Sequence, residues 1–287
     1  MNTKQNFKVS VCMITYGHED YIKEAIEGVL MQDCDFEIEL LIADDCSPDA
    51  TQTIVEGIKS THKNGDWIKY IKHQTNKGMM PNFIWALNEC KGKYVALCEG
   101  DDYWTDSLKL QKQIDFLEVN NEFSGCFHNT KFINELEPHS IPKLWREYDK
   151  NIFFLKDTLS NRALFHTASF VFKSSALVLP DWLVNIESGD MAVFTIVSSK
   201  GKLFRFDESW SVYRKNITGV TNNVKQLDYH RSRINLFQYF NNFLKGREKE
   251  QIIKTINFHK DCLKRIKTKK SVLYMFKMLL KKIKNNL

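Results

Sequence analysis

Long apolar runs are missing from this chain. No window approaches the roughly 18 uninterrupted apolar residues of a membrane-crossing helix. A secretory leader is not expected either: Met1 to Lys8 is polar, and the apolar residues from Val9 to Ile14 alternate with Ser and Cys. The seven cysteines form no CxxC pair, are odd in number, and several sit inside apolar runs. Buried thiols in a reducing cytosol are expected, rather than a disulfide framework or a zinc site. The fingerprint GxGxxG does not follow the first apolar segment, and GxxxxGK is absent. Phosphates are therefore not cradled by a glycine-rich helix start. No nucleic-acid motif occurs either, so nucleic acid is not an expected partner.

What is present is ordinary in bulk and uneven in place. The 287 residues are 43% hydrophobic and 26% charged, as in soluble globular proteins, and suffice for one large domain or two small ones. The net charge of +6 is concentrated at one end. From Lys260 onward there are ten Lys or Arg and one Asp, whereas residues 1–259 hold 31 basic and 34 acidic side chains. A mildly acidic body thus carries a strongly basic tail.

The first half alternates between two periodicities. Phe7 to Thr15, Phe36 to Ala43, Trp67 to His73 and Lys93 to Cys98 read as buried strands. Between them, Tyr21 to Leu30, Thr51 to Lys59 and Asn82 to Cys90 read as helices. Strands separated by helices imply crossovers and a parallel sheet, whose ligands bind beyond the carboxyl ends of the strands. Three polar clusters fall there: Thr15-Tyr16, Asp44-Asp45 and Glu99-Gly100-Asp101-Asp102. Each has a plain local reading as a turn or a helix cap, with Asp49 the better cap of its helix. The last is the densest. Three carboxylates in four residues repel one another and need solvent, donors or a cation. Such hard oxygens suit Mg²⁺ or Mn²⁺, above all when substrate phosphates share the ion.

The segments VSVCMITYGHEDYIKEAIEGVLMQ, IELLIADDCSPDAT and NKGMMPNFIWALNECKGKYVALCEGDDYW, in that order, resemble the family 2 glycosyltransferases with the GT-A fold. The likeness runs from about Val9 to Trp104 and continues to about Gly219. It implies a mostly parallel, Rossmann-like nucleotide-binding α/β sheet flanked by helices. It also implies an inverting transfer of a sugar from a nucleotide diphosphate, a UDP-sugar by this resemblance, with Mn²⁺ or Mg²⁺ on the diphosphate. By that resemblance Thr15, Tyr16 and Glu19 line the nucleoside pocket, and Asp45, with Asp44 beside it, bonds the base. Glu99, Asp101 and Asp102 occupy the place of the family's metal-binding DxD motif, with Glu99 where Asp is usual. Asp101 and Asp102 are the favoured ligands and Glu99 the next. Glu99 and Asp101 also count among the donor-binding residues by that resemblance, with the division of the carboxylates between metal and ribose left open.

Beyond Trp104, Lys109 to Val119 reads as a helix and Ser124 to His128 as a strand. Glu135 to Asp149 is a polar connection expected to form a loop over the cleft. Asn161 to Phe172 resembles a family segment that would turn His166 toward that cleft, although a lone His in an apolar run is usually a packed residue. Asp190 opens an apolar helix and is locally an N-cap. The resemblance makes it the catalytic base that takes the acceptor hydroxyl proton. Leu203 to Phe206 and Trp210 to Tyr213 read as two short strands. Tyr213 to Asn216, then Gly219-Val220, resemble a segment that closes over the diphosphate, with Asn216 where His is common. Arg214 would pair either with phosphate or with a structural carboxylate.

Residues 1–220 are thus expected to form the glycosyltransferase domain and 221–287 a helical extension. In its last segment Val272, Leu273, Phe276, Leu279, Leu280 and Ile283 share one face, with lysines largely opposite. This reads as a basic amphipathic helix for an anionic membrane surface, or for a second copy in a homodimer. The expected setting is cytoplasmic and peripheral, on the inner face of the membrane. The expected acceptor is a saccharide or lipid-linked saccharide of a bacterial surface glycan. Two other readings stay open: a nucleotide-binding scaffold that lost catalysis, and a nucleotidyltransferase, which the missing phosphate loop disfavours.

Overall fold

The computed structural model describes residues 7–137, 139–216 and 225–285, with side chains up to residue 268. The chain divides into two compact units, one of Met1–Thr158 and Ala163–Gly219, the other of Leu159–Arg162 and Val220–Leu287. In the first unit, strands β1 (Val9–Thr15), β2 (Ile38–Asp44), β3 (Ile68–Lys72) and β4 (Tyr94–Leu97) alternate with helices α1 (Ile22–Leu30), α2 (Thr51–Thr61) and α3 (Met79–Glu89). Every residue of β2 and β4 is buried, and so is all of β1 except the half-buried Ile14. That explains near-continuous apolar runs in place of alternation: both faces of these strands are covered. Each fully buried Val, Leu or Ile contributes about 1.5–3 kcal/mol. The four strands are all parallel, in the order β3-β2-β1-β4.

The sheet continues as a mixed one. After β5 (Tyr103–Trp104) and α4 (Lys109–Val119) come β6 (Phe123–Asn134), β7 (Lys143–Leu144), β8 (Ile152–Phe153), α5 (Leu155–Thr158), β9 (Val171–Lys173), α6 (Gly189–Ser198) and β10 (Lys202–Lys215). Strand β9 runs antiparallel between β4 and β6 and joins the two halves of the sheet. Strand β6 is longer than the apolar run that announced it. It pairs in parallel with β10, which is one 14-residue strand and not two short ones. The polar Asp207-Glu208-Ser209 breaks the apolar pattern, but register shifts around Phe206 and Ser209 absorb it. The polar connection after Asn134 is partly a strand: β7 pairs back on β6, and Trp145 N–H donates to Thr130 O at 2.9 Å.

Helix α1 sits directly on β5. A Cβ on Gly28 would lie 2.8 Å from Trp104 N, so only glycine allows this approach. The Trp104 indole in turn donates to Ala168 O at 2.8 Å. The segment that follows Glu99–Asp102 is therefore pinned on two sides. In the second unit, α7 (Gln226–Phe243) and α8 (Lys249–Asn285) pack on each other, with Phe237 against His259 and with Leu236, Phe240 and Ile252 buried. The side chains proposed for membrane contact, Val272 to Ile283, lie outside those described, as does the Gly219-Val220 pair.

Candidate active site

The parallel register sets the first two clusters side by side. Thr15 stands opposite Asp44, and Asp45 N–H donates to Thr15 O at 3.0 Å. Buried Asp44 accepts from Ser47 N–H at 2.7 Å and from the Tyr70 hydroxyl at 2.5 Å. Burial of the ring, then the hydrogen bond to Asp44 and its charge, push the Tyr70 phenol well above its ordinary range. Buried Asp45 accepts Lys77 N–H at 2.7 Å and Gly78 N–H at 2.9 Å. Both carboxylates, expected at the base, thus accept hydrogen bonds from the strand-end loops and from β3, Asp44 from Ser47 and Tyr70 and Asp45 from Lys77 and Gly78. Glu19 accepts from Ala50 N–H at 2.9 Å, and Asp49 accepts from Thr51 N–H at 3.1 Å at the start of α2, whose N-cap position is Ala50. Tyr16 is 48% exposed, with its ring open to a ligand.

The third cluster meets the first through Gly100. Its N–H donates to Ile14 O at 3.0 Å. A Cβ there would lie 2.7 Å from Thr15 Oγ1 and 3.0 Å from His18 Nδ1, atoms that pair with each other at 3.1 Å. Asp102 is 1% exposed. Its Oδ1 accepts Arg214 N–H at 3.0 Å, while its Oδ2 is buried with no hydrogen-bond partner. Burial first, and then the charges of Asp101 and Glu99, push the Asp102 carboxyl well up. Glu99 is pushed up to about 8 by burial, then by Asp101 and by Asp190. That last influence places Asp190, on the first turn of α6, within electrostatic reach of the acidic turn.

Asp101 turns aside. Its Oδ2 accepts Asn216 Nδ2–H at 3.0 Å, and its carbonyl accepts from the Arg214 guanidinium at 3.1 Å. His166 comes in instead. Its Nδ1 lies 3.6 Å from Asp102 Oδ2, its ring stacks on Tyr213 at 4.2 Å, and burial pushes it down to about 3, so it is neutral. Glu99, Asp102 and His166 offer ligand atoms all within 4.8 Å of one another. Two hard oxygens, one of them an orphaned buried atom, and a neutral imidazole nitrogen form a donor set that fits a divalent cation.

A model of the family described as glycosyl transferase family 2 matches residues 10–184, which holds all of this machinery except Asp190, Arg214 and their neighbours. The chain belongs to glycosyl transferase family 2. An uncharacterised Mycobacterium tuberculosis protein is 34% identical over 223 residues, covering 74% of this chain and 60% of that protein. This family 2 chain therefore spans about 60% of the length of that relative. The Escherichia coli protein WfaP, named a UDP-Glc:alpha-D-GlcNAc-diphosphoundecaprenol beta-1,3-glucosyltransferase, is 35% identical over 115 residues, covering 40% of this chain and 43% of WfaP. The structure of Staphylococcus aureus TarS in complex with UDP-GlcNAc superposes with a TM-score of 0.65 at 19% identity, over 88% of this chain and 72% of that one. The last likeness is one of fold, and it is the GT-A fold that the sequence motifs implied.

Within this family 2 fold, Arg214 takes the structural alternative. It forms an ion pair with Glu24 on α1, a 3.4 Å pair with Glu135, and a contact with the face of Tyr103 at 4.3 Å. Buried at 6% exposure, the guanidinium is already surrounded by protein acceptors. Sequence reasoning did not find Glu24, Glu135, Tyr70 or Trp145. Glu24 and Glu135 look like ordinary surface carboxylates, and nothing local marks them as partners of a residue some 80 to 190 positions away. Trp145 did carry a signal, a large aromatic in a polar connection, with Tyr148 close by. Its ring lies 6.1 Å from that of His166, at the site's edge.

Proposed function

We propose that this chain is the catalytic unit of an inverting, metal-dependent glycosyltransferase. It moves a sugar from a UDP-linked donor to a hydroxyl of a saccharide or lipid-linked saccharide in bacterial surface-glycan synthesis. The observation that carries this reading is the cluster of Glu99, Asp102 and His166, whose ligand atoms lie within 4.8 Å of one another, beyond the strand ends where Thr15 stands opposite Asp44. The names of WfaP and of the TarS complex support a UDP-linked donor, and that of WfaP a lipid-diphosphate-linked acceptor.

Asp190 accepts the proton of the acceptor hydroxyl as that oxygen attacks C1 of the sugar. The bond from C1 to the diphosphate breaks on the opposite face, and the electron pair leaves with the diphosphate. One displacement inverts C1, and no covalent link to the protein forms. Glu99, Asp102 and His166 would hold the divalent cation, Mn²⁺ or Mg²⁺, which supplies positive charge to the leaving diphosphate when bound. Thr15 and Tyr16 flank the nucleoside, while Asp45 orders the Lys77–Gly78 loop beside it. Among the described residues no helix is long and apolar enough to cross a membrane. The basic tail is the proposed means of reaching a lipid-linked acceptor on the inner membrane face.

The test is incubation with a panel of sugar nucleotides and Mn²⁺, with and without lipid-linked acceptors, followed by product anomer analysis. Transfer with inversion, lost in Asp190→Asn, is expected. Retention of configuration, or neither binding nor hydrolysis of any sugar nucleotide, would sink the reading.

A further inference from the structure

We infer that His166 is a direct ligand of the catalytic cation, and that its nitrogen makes the site selective for Mn²⁺-like ions over Mg²⁺. This rests on the transferase reading above, and it assigns to a third, distant segment a role that the acidic turn would otherwise carry alone.

Three observations lead there. Asp102 Oδ2 is fully buried with no donor, and such an atom is costly unless something compensates it. His166 Nδ1 faces it at 3.6 Å, too far for a hydrogen bond. Two donors each about 2.1 Å from one cation stand about 3 to 3.6 Å apart, so the gap has the width of a shared ion. Glu99 closes the set within 4.8 Å.

The imidazole is also held for the task. Its residue is extended, at φ −92° and ψ 143°, just before a short turn of helix. Tyr213 stacks on one face at 4.2 Å, and Trp145 meets it edge-on at 6.1 Å. Ala168 N–H donates a long bond to Nδ1 at 3.4 Å, which marks Nδ1 as the unprotonated, electron-pair-bearing nitrogen and which a closer cation would replace. A ring fixed in this way gives little rotamer entropy to a bound ion. Asp101, by contrast, spends one carboxylate oxygen on Asn216 and its carbonyl on Arg214. Imidazole nitrogen suits first-row transition ions, while Mg²⁺ prefers an all-oxygen shell with several waters.

The deciding measurement is pulsed EPR on the full chain with Mn²⁺ alone, read for ¹⁴N modulation, alongside Mn²⁺ and Mg²⁺ titrations. The wild type should show modulation from one imidazole nitrogen and bind Mn²⁺ at least about tenfold more tightly than Mg²⁺. His166→Ala should lose the modulation and bind Mn²⁺ about 10–100-fold more weakly, with Mg²⁺ affinity changed far less. Bound Mn²⁺ without nitrogen modulation, no Mn²⁺ binding, or equal affinity in His166→Ala would overturn the assignment. The wild-type spectrum decides even where the variant fails to fold. Sugar transfer with Mn²⁺ that shows no nitrogen coupling removes His166 as a ligand and leaves the transferase reading standing. Nitrogen-coupled Mn²⁺ without any transfer does the reverse.

Discussion

Asp102 and Arg214 hold each other's segments in place. The Asp102 carboxylate accepts Arg214 N–H at 3.0 Å, and the Arg214 guanidinium reaches back to the neighbouring Asp101 carbonyl at 3.1 Å. The acidic turn is thus clamped to β10, and through Glu24 to α1. Arg214→Ala keeps the backbone bond but removes the guanidinium, its packing on Tyr103 and its ion pairs. A loss of about 2–3 kcal/mol in urea melts is expected, because buried charge-assisted hydrogen bonds are broken. Donor affinity should fall with it. Unchanged donor affinity at reduced stability would mean that the clamp serves the fold alone.

Gly100 tests how closely the first and third clusters must fit. Gly100→Ala drives a Cβ against Thr15 Oγ1 and His18 Nδ1. Overpacking of this kind costs about 1–3 kcal/mol. The Thr15–His18 pair should separate first, so nucleotide affinity measured by calorimetry should drop more than thermal stability does. A variant that binds nucleotide like the wild type would show that Thr15 is not at the nucleoside.

Asp190→Asn leaves the shape of the first turn of α6 intact and removes the base. Turnover should fall about 10²–10⁴-fold, the usual worth of a positioned proton acceptor. Donor affinity should hold, or rise slightly as a negative charge near Glu99 disappears. A fall in donor affinity with unchanged turnover would reassign Asp190 to binding.

The second unit carries its own pH dependence. His230 and His259 face each other through Nδ1 at 2.8 Å between α7 and α8, and His259 Nε2 is buried without a partner. Burial, with the His230 and Arg233 charges, pushes His259 down to about 4, and burial lowers His230. An unfolded histidine titrates near about 6.5, so on acidification the unfolded chain takes up protons first. Stability is full above that value and drains as pH falls toward about 4. Helicity of the wild type should melt at lower temperature at pH 5 than at pH 7.5, and His259→Phe should flatten the difference. A slope that survives the substitution would place the titrating group elsewhere.

Local chemistry is where the sequence spoke clearly. Helix α4 was legible from end to end, Lys109–Val119, because its apolar spacing and its packing agree. The strand-end clusters were legible because parallel crossovers send every strand's carboxyl end to one edge. The two short strands read at Leu203 and Trp210 were a miss with a physical cause: a bulge lets one strand absorb polar residues that break alternation. Of the proposed metal set, Glu99 and Asp102 were legible as ligands and His166 was not. Glu99 and Asp102 are neighbours in the chain, whereas His166 arrives from more than sixty residues away.

The sequence by itself determined the α/β alternation, the family, and which strand ends carry carboxylates, since each depends on periodicity or on adjacent residues. Only the tertiary structure decided that Asp101 faces Asn216 while His166 faces Asp102, and that Arg214 pairs with Glu24 and Glu135. Which oxygen is satisfied and which is left bare depends on where other elements bring their donors, and no local pattern encodes that.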